Sequence, residues 1–287
     1  MNISIITSFY YGNKYIAQYV DMMNEVIHQY KSEENNIEVI MVNDSPEQSL
    51  IIPENCMFDH MILNNSTNCG IHQSRVNGLK ITKYDYVIFL DQDDVLCKDT
   101  LTKYKLAVKD ADLLIGNGIY EVGENNVKIF RTLRSLKYAT KKYGYYYVRN
   151  LIVSPGHCLI KKEAIPREWI DNLLSTNGSD DYFLWILLFF YRKKIAYINE
   201  ITYIHKDTGC NLSVEESNMI TSTLEFLEYM LKSSNPKMVK LAKTVKRTVE
   251  FKYNYKTAGL LGRAKIVIPY YKLFLYNCIY HVWYKGI

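Results

Sequence analysis

Asp91, Asp93 and Asp94 place three carboxylates within four residues, directly after the apolar run Tyr86-Val-Ile-Phe-Leu90. The run is short, β-branched and aromatic, which predicts a strand buried on both faces. In open α/β sheets, ligands bind beyond the carboxyl ends of the strands. Crowded carboxylates disfavour one another's charge unless a cation offsets it. A hard divalent ion with oxygen ligands suits such a cluster. The structural alternative is a solvated acidic turn ahead of the next helix. Asp99, before Thr100-Leu101, already supplies that helix with a cap.

The elements around this strand alternate. Asn2 to Ser8 predicts a strand. Asn13 to Tyr30 predicts a helix, because Ile16, Tyr19, Val20, Met23, Val26, Ile27 and Tyr30 recur at helical spacing. Strands over Ile37 to Val42 and Met61 to Leu63 follow, then a helix over Gly70 to Thr82. After the central strand come a helix from Asp99 to Lys109 and a strand from Ala111 to Ile115. Alternation of this kind predicts a parallel sheet with helices on both faces. No Gly-x-Gly-x-x-Gly follows the first strand and no Gly-x-x-x-x-Gly-Lys occurs, which removes the two commonest phosphate loops. Further on, Ile119 to Arg134 predicts a β-ribbon, and Lys137 to Asn150 is a basic, Tyr-rich segment. A turn at Ser154-Pro-Gly-His157 leads into a strand, Cys158 to Lys161. Tyr182 to Tyr191 predicts a buried helix, too short to span a membrane. Ile195 to His205 holds one or two strands, and only helical patterns remain from Val214.

Composition narrows the class. The 287 residues, 48% hydrophobic and 23% charged, suit one large α/β domain with appendages. Six scattered cysteines with no Cys-x-x-Cys pair argue against a zinc site or a disulfide framework and for reduced thiols in a cytosol. No basic, then apolar leader precedes the first strand, so no signal peptide is expected. The net charge of +5 is uneven. From Pro236 onward there are 11 Lys and Arg and one acid, Glu250, while the remainder is net −5.

Five segments, in order, resemble family 2 glycosyltransferases of the GT-A fold, especially bacterial enzymes that build surface polysaccharides of the capsule and O-antigen type. Ser4-Ile-Ile-Thr-Ser-Phe-Tyr10 with Lys14-Tyr-Ile16 is similar to the family's opening strand and helix. Val42-Asn-Asp-Ser45 is similar to its Val-Asp-Asp-Gly-Ser turn. Asn68-Cys-Gly70 with Arg75-Val-Asn-Gly-Leu79 is similar to its Asn-x-Gly…Ala-Arg-Asn-x-Gly segment. Phe89-Leu-Asp-Gln-Asp-Asp94 matches its Asp-x-Asp motif, and Asp180-Asp-Tyr-x-x-Trp185 its Glu-Asp motif. The resemblance covers roughly residues 2–210. Ser8 stands where Pro is usual, Tyr11 for Asn, Asn43 for the first Asp of the turn, and Asp180 for Glu. The Gln-x-x-Arg-Trp motif of processive polymerases is missing, which argues for addition of a single sugar.

The resemblance implies a Rossmann-like, mostly parallel α/β sheet flanked by helices. It implies a domain over residues 1–212, with a donor half to about 110 and an acceptor half from 111, and a helical C-terminal extension over 213–287. It implies displacement of a nucleoside diphosphate, UDP as the expected carrier, from a hexose or N-acetylhexosamine by an acceptor hydroxyl. A metal, Mn2+ or Mg2+, would be held by Asp93 and Asp91 and stabilise charge on the leaving diphosphate. Thr7, Ser8, Asp44, Arg75, Asp91, Gln92, Asp93 and His205 would form the donor site. Asp181 would take the acceptor proton with Asp180 positioning it. His157 and Lys161 are candidates for the acceptor side. Each role has a structural counterpart: an Asx-turn before Pro46 for Asp44, a surface helix arginine for Arg75, helix capping for Asp94, Asp180 and Asp181, and a structural strand-end histidine for His205.

Two other readings are open. Asp91-Gln-Asp93-Asp-Val95 after an apolar strand also fits the nucleophile motif of haloacid-dehalogenase-like phosphatases, although those open with that strand. A glycosyltransferase-like subunit that only binds nucleotide or membrane is the other; Asp91, Asp93 and Asp181 argue against it. The basic tail predicts docking on the cytoplasmic face of a membrane. Lys237, Lys240, Lys243, Lys246 and Arg247 alternate with Met238, Leu241, Ala242, Val245 and Val249, and Ile266 to Tyr284 is rich in aromatics that favour the headgroup level. The structural counterpart is a basic helix packing its apolar side on the enzyme. The partners implied are a nucleotide-sugar, a glycan or lipid-linked acceptor and the membrane surface, without nucleic acid.

Overall fold

The computed structural model describes residues 1–31, 35–123, 125–209 and 216–285. Strand β1 (Ile3–Phe9) leads through a short 3-10 turn into α1 (Ile16–Tyr30); β2 (Ile37–Asn43), β3 (His60–Asn64), α2 (Gly70–Ile81) and β4 (Tyr86–Asp91) follow. Then come β5 (Val95–Leu96), α3 (Thr100–Ala107), β6 (Leu113–Val122), β7 (Asn125–Lys128), α4 (Leu133–Ala139) and α5 (Lys142–Tyr147). The remainder is β8 (Cys158–Lys161), α6 (Arg167–Asp171), α7 (Asp180–Phe190), β9 (Ile195–Lys206) and the helices α8 (Glu216–Leu231), α9 (Pro236–Thr257), α10 (Leu260–Val267) and α11 (Tyr271–Ile279). The described residues end in a π-helical turn, Tyr280–Lys285.

The strands form one sheet in the order β3-β2-β1-β4-β8-β6-β9-β5, with β7 paired to β6. β3, β2, β1 and β4 run parallel. The second half is mixed: β8 is antiparallel to both β4 and β6, while β9 is parallel to β6. Side chains alternate across the strands, so each face has its own core. Ile5, Met41, Ile88 and Leu114 pack with α1 and α3. Ile6, Ile40, Phe89 and Ile115 pack with α2, α7, α8 and α9.

The expected boundary at 212/213 lies outside the described residues. The helices beyond it are not merely appended. Phe226, Leu227 and Met230 of α8 and Met238, Leu241, Ala242 and Val245 of α9 are buried in the same core as α7. The basic side of α9 faces solvent and its apolar side packs on the enzyme, so the structural counterpart holds for this helix. Exposed apolar side chains are instead found on α10 and α11. Leu260, Leu261 and Ile268 are 90%, 83% and 75% exposed. Among the described residues no helix is long and apolar enough to cross a membrane.

Candidate active site

The parallel register sets the site. Ser8 pairs with Val42 on one side and with Asp91 on the other, and Phe9 pairs with Asn43. The carboxyl ends of β1, β2 and β4 therefore bring Ser8, Asp44 and Asp91 to one edge. Chain order reverses between β1 and β4, which opens a crevice there. α7 closes it from the other half. The resulting cavity is about 450 Å3 and is lined by Ser8, Asp44, Arg75, Asp91, Gln92, Asp93, Asp180, Asp181 and His205, among others. That volume suits a small-molecule ligand.

Arg75 does not reach into open space. Its guanidinium is buried between two carboxylates, 2.5 Å from Asp91 Oδ1 and 2.7 Å from Asp180 Oδ2. It ties α2 to the ends of β4 and α7, with one nitrogen on each acid. Burial works against its charge, but Asp180 and Asp91 outweigh that and raise its pKa. Asp91 Oδ2 also accepts a hydrogen bond from Ser154 at 3.1 Å. Asp91 is thus fixed in direction, with Arg75 and Ser154 on its two oxygens.

Asp93 is half-buried in the cavity, and its carboxylate accepts a bond from Thr208 at 3.4 Å. Burial, then the charges of Asp94 and Asp91, push its pKa up to about 6. Asp94 points away from the cavity. It binds the Tyr203 hydroxyl, the Lys206 amide at 3.1 Å and His205 Nδ1 at 3.0 Å. It therefore pins the end of β9 under the acidic loop. Burial pushes Asp94 up and His205 down, but the contact with Asp94 reverses the sign for His205, whose pKa ends above its ordinary value. The imidazole is held at the cavity wall on the side of Asp93.

Asp180 and Asp181 open α7 and diverge in character. Burial opposes ionisation of Asp180, yet Arg75 outweighs it and holds the carboxyl below its usual range. Burial and then the Asp180 charge push Asp181 up to about 7, against Arg75 and hydrogen bonds from Asn150 and the Tyr182 amide. Asn150 donates to Asp181 Oδ2 at 2.9 Å. A carboxyl near 7 is matched to proton transfer at neutral pH.

Asp44 is mostly committed to structure. It accepts from the Cys69 amide and Asn65 on one oxygen and from the Gly70 amide on the other. It thereby caps α2, which has no side-chain cap of its own. Asn177 serves the same helix end by accepting from the Ile71 amide at 3.0 Å. Gly70 has φ +80°, and a Cβ there would lie 2.7 Å from Asn177 Oδ1, so the turn requires glycine. Asn43, where the resemblance has an acid, donates to Gln48 and Asn64 and accepts from the Ser45 amide. A carboxylate lacks those two donors. Tyr11, where the resemblance has Asn, sits at φ 47° and ψ 46°. Asn is enriched in that left-handed region, and tyrosine is strained there.

Not every expected residue reaches the cavity. Thr7 is fully buried and bonded to the Tyr19 hydroxyl at 3.0 Å, away from it. Ser8 lines it, and its hydroxyl is buried with no partner among the described residues. Gln92 lines it while bridging to the Tyr10 backbone. His157 is buried against the Gly116 carbonyl, and Lys161 pairs with Glu163 on the surface, so neither reaches the cavity. Asn150, Ser154, Asn177, Tyr10 and Tyr11 line the cavity without having been anticipated. Single polar residues in loops carry no periodicity, and only contact reveals them.

The cavity holds five carboxylates against Lys14, Arg75 and His205. Among the described residues no three His, Cys, Asp or Glu side chains are arranged to hold a metal by themselves. An ion that shares its coordination with ligand phosphates needs only one or two protein carboxylates, and Asp93 with Asp91 fits that requirement.

Residues 4–169 match the family described as Glycosyl transferase family 2. Glycosyltransferase GlyG of Streptococcus pneumoniae is 24% identical over 71% of this chain and 70% of its own length. GlyA of the same organism is 26% identical over 74% of this chain and 31% of its own length. Residues 1–349 of S. aureus TarS, solved with UDP-GlcNAc, superpose with a TM-score of 0.64 at 16% identity, covering 95% of this chain and 81% of that one. That likeness shows the GT-A type of fold. The match also removes the phosphatase alternative, because the acidic strand is the fourth of the sheet and not the opening one. The chain belongs to glycosyl transferase family 2 and is a glycosyltransferase.

Proposed function

We propose an inverting, metal-dependent transfer of one sugar from a UDP-sugar to a hydroxyl of a lipid-linked glycan, in surface polysaccharide synthesis at the inner face of the cell membrane. One observation carries the reading: Asp91 and Asp93 at the sheet edge face the same cavity as Asp181, whose pKa is pushed up to about 7. The neighbours support the donor class. TarS was solved with UDP-GlcNAc and with UDP, and a Pyrobaculum calidifontis mannosyltransferase with GDP-Man and Mn2+.

In this reading Ser8 and Asp44 border the base, and His205 faces the diphosphate. Asp93, with Asp91 behind it, would hold a divalent ion, which when bound would offset charge on the leaving diphosphate. Asp181 accepts the acceptor's hydroxyl proton. The freed oxygen pair forms the new bond to the anomeric carbon. The bond from that carbon to the β-phosphate oxygen breaks, and its electrons leave with the nucleoside diphosphate. Attack opposite the leaving group inverts the carbon. Asp180, held ionised by Arg75, keeps a negative charge beside Asp181 and so keeps its basicity high.

The exposed Leu260, Leu261 and Ile268, with the basic outer side of α9, support attachment in a membrane interface. The direct experiment supplies α-linked UDP-sugars with Mn2+ and a glycolipid acceptor and reads the anomeric configuration by NMR. A β-linked product is expected. A retained α linkage would contradict the mechanism.

A further inference from the structure

A second cavity of about 740 Å3 adjoins the first, and Asn150 and Met219 line both. Its walls come from the end of α5, from α8, from the second half of α9 and from α11. They are made largely of Val148, Ile220, Val249, Phe251, Phe274 and Val282. Asp91, Asp93 and Asp181 do not line this space. Several of its polar groups are committed elsewhere. Thr248 donates to the Tyr146 carbonyl, Thr223 to the Met219 carbonyl, and Asn277 to the Tyr147 and Leu273 carbonyls. The wall that remains is largely apolar, which suits a hydrocarbon better than a saccharide.

Arg149 and Lys252 also line the cavity, together with Lys256. The one carboxylate among the described lining residues, Glu216, is taken by Lys256. Lys252 has surface exposed to solvent, yet burial of its ammonium, followed by the charge of Arg149, pulls its pKa down to about 8. An apolar cavity with two like charges at its wall is complementary to an anion that carries a hydrocarbon chain. Asn150 lies between this cavity and the base, since its amide is bonded to Asp181.

We propose that the second cavity binds the acceptor's lipid phosphate: the hydrocarbon chain occupies the apolar space, Arg149 and Lys252 hold the phosphate, and the sugar hydroxyl reaches Asp181 past Asn150. This assignment rests on the glycosyl-transfer reading, but its test does not.

The test titrates full-length protein with farnesyl phosphate below its micelle concentration, with farnesol and with inorganic phosphate, and separately with UDP. Farnesyl phosphate should bind at least tenfold tighter than either fragment. The double variant Arg149→Gln, Lys252→Gln should weaken it tenfold or more and leave UDP affinity unchanged. Ile220→Trp, which fills the cavity, should weaken farnesyl phosphate and farnesol alike. If that variant misfolds, the surface double variant still decides. Equal affinity for farnesol and farnesyl phosphate, or no loss in the double variant, would overturn the proposal. Loss of UDP binding alone, with farnesyl phosphate still bound, would overturn the donor reading and leave the lipid-phosphate site standing.

Discussion

Asp180 and Asp181 are neighbours in sequence with opposite behaviour, and the difference is one guanidinium. Arg75 bonds Asp180 directly and reaches Asp181 only through space. A base must be ionised to accept a proton, so turnover should rise with pH and level off above the Asp181 pKa of about 7. Asp181→Asn should keep UDP affinity, lower turnover ~10²-fold or more and flatten that profile. Steady-state rates across pH check both, and a near-wild-type rate would remove Asp181 from the role. Stability carries the opposite sign. The folded pKa lies above the ordinary 3.8, so the contribution is complete below about pH 4 and is lost as pH rises through about 7. Asp181 was legible because an acid pair before an apolar helix is a pattern. The commitment of Arg75 was not, because its partners lie 16 and 105 residues away. Spacing showed only that it begins a helix near the sheet edge.

The elements follow the same division. Strands β1, β2 and β4 and helices α1 and α2 were legible from periodicity, since each has one face or both buried by the sheet. α4, α5 and α6 are five to seven residues long, too short for a period to show, and β5 is only two residues. α9 was legible as amphipathic, but its partner was not: an apolar stripe reads the same against lipid or against α8. The two faces separate by substitution. Val245→Asp puts an unpaired charge in the core and should cost on the order of 3–5 kcal/mol in denaturant melts. Leu260→Glu with Leu261→Glu should leave the melt unchanged and reduce binding to anionic vesicles, because both residues are exposed. Unchanged vesicle binding in that pair would remove the membrane role from α10.

At the scale of the molecule, a parallel half supplies the acidic edge, and a mixed half brings Asp181 against it. The central claim is that the acidic edge binds a nucleotide through a divalent ion, because five carboxylates would otherwise repel a diphosphate. Calorimetric titration of UDP into wild type and Asp93→Asn, each with Mn2+ and with excess chelator, tests it most directly. The account predicts tight binding only for wild type with Mn2+, at least tenfold weaker binding for Asp93→Asn with Mn2+, and no difference between the two proteins in chelator. Wild-type affinity that ignores the chelator, or an Asp93→Asn protein that binds UDP as well as wild type in Mn2+, would contradict it.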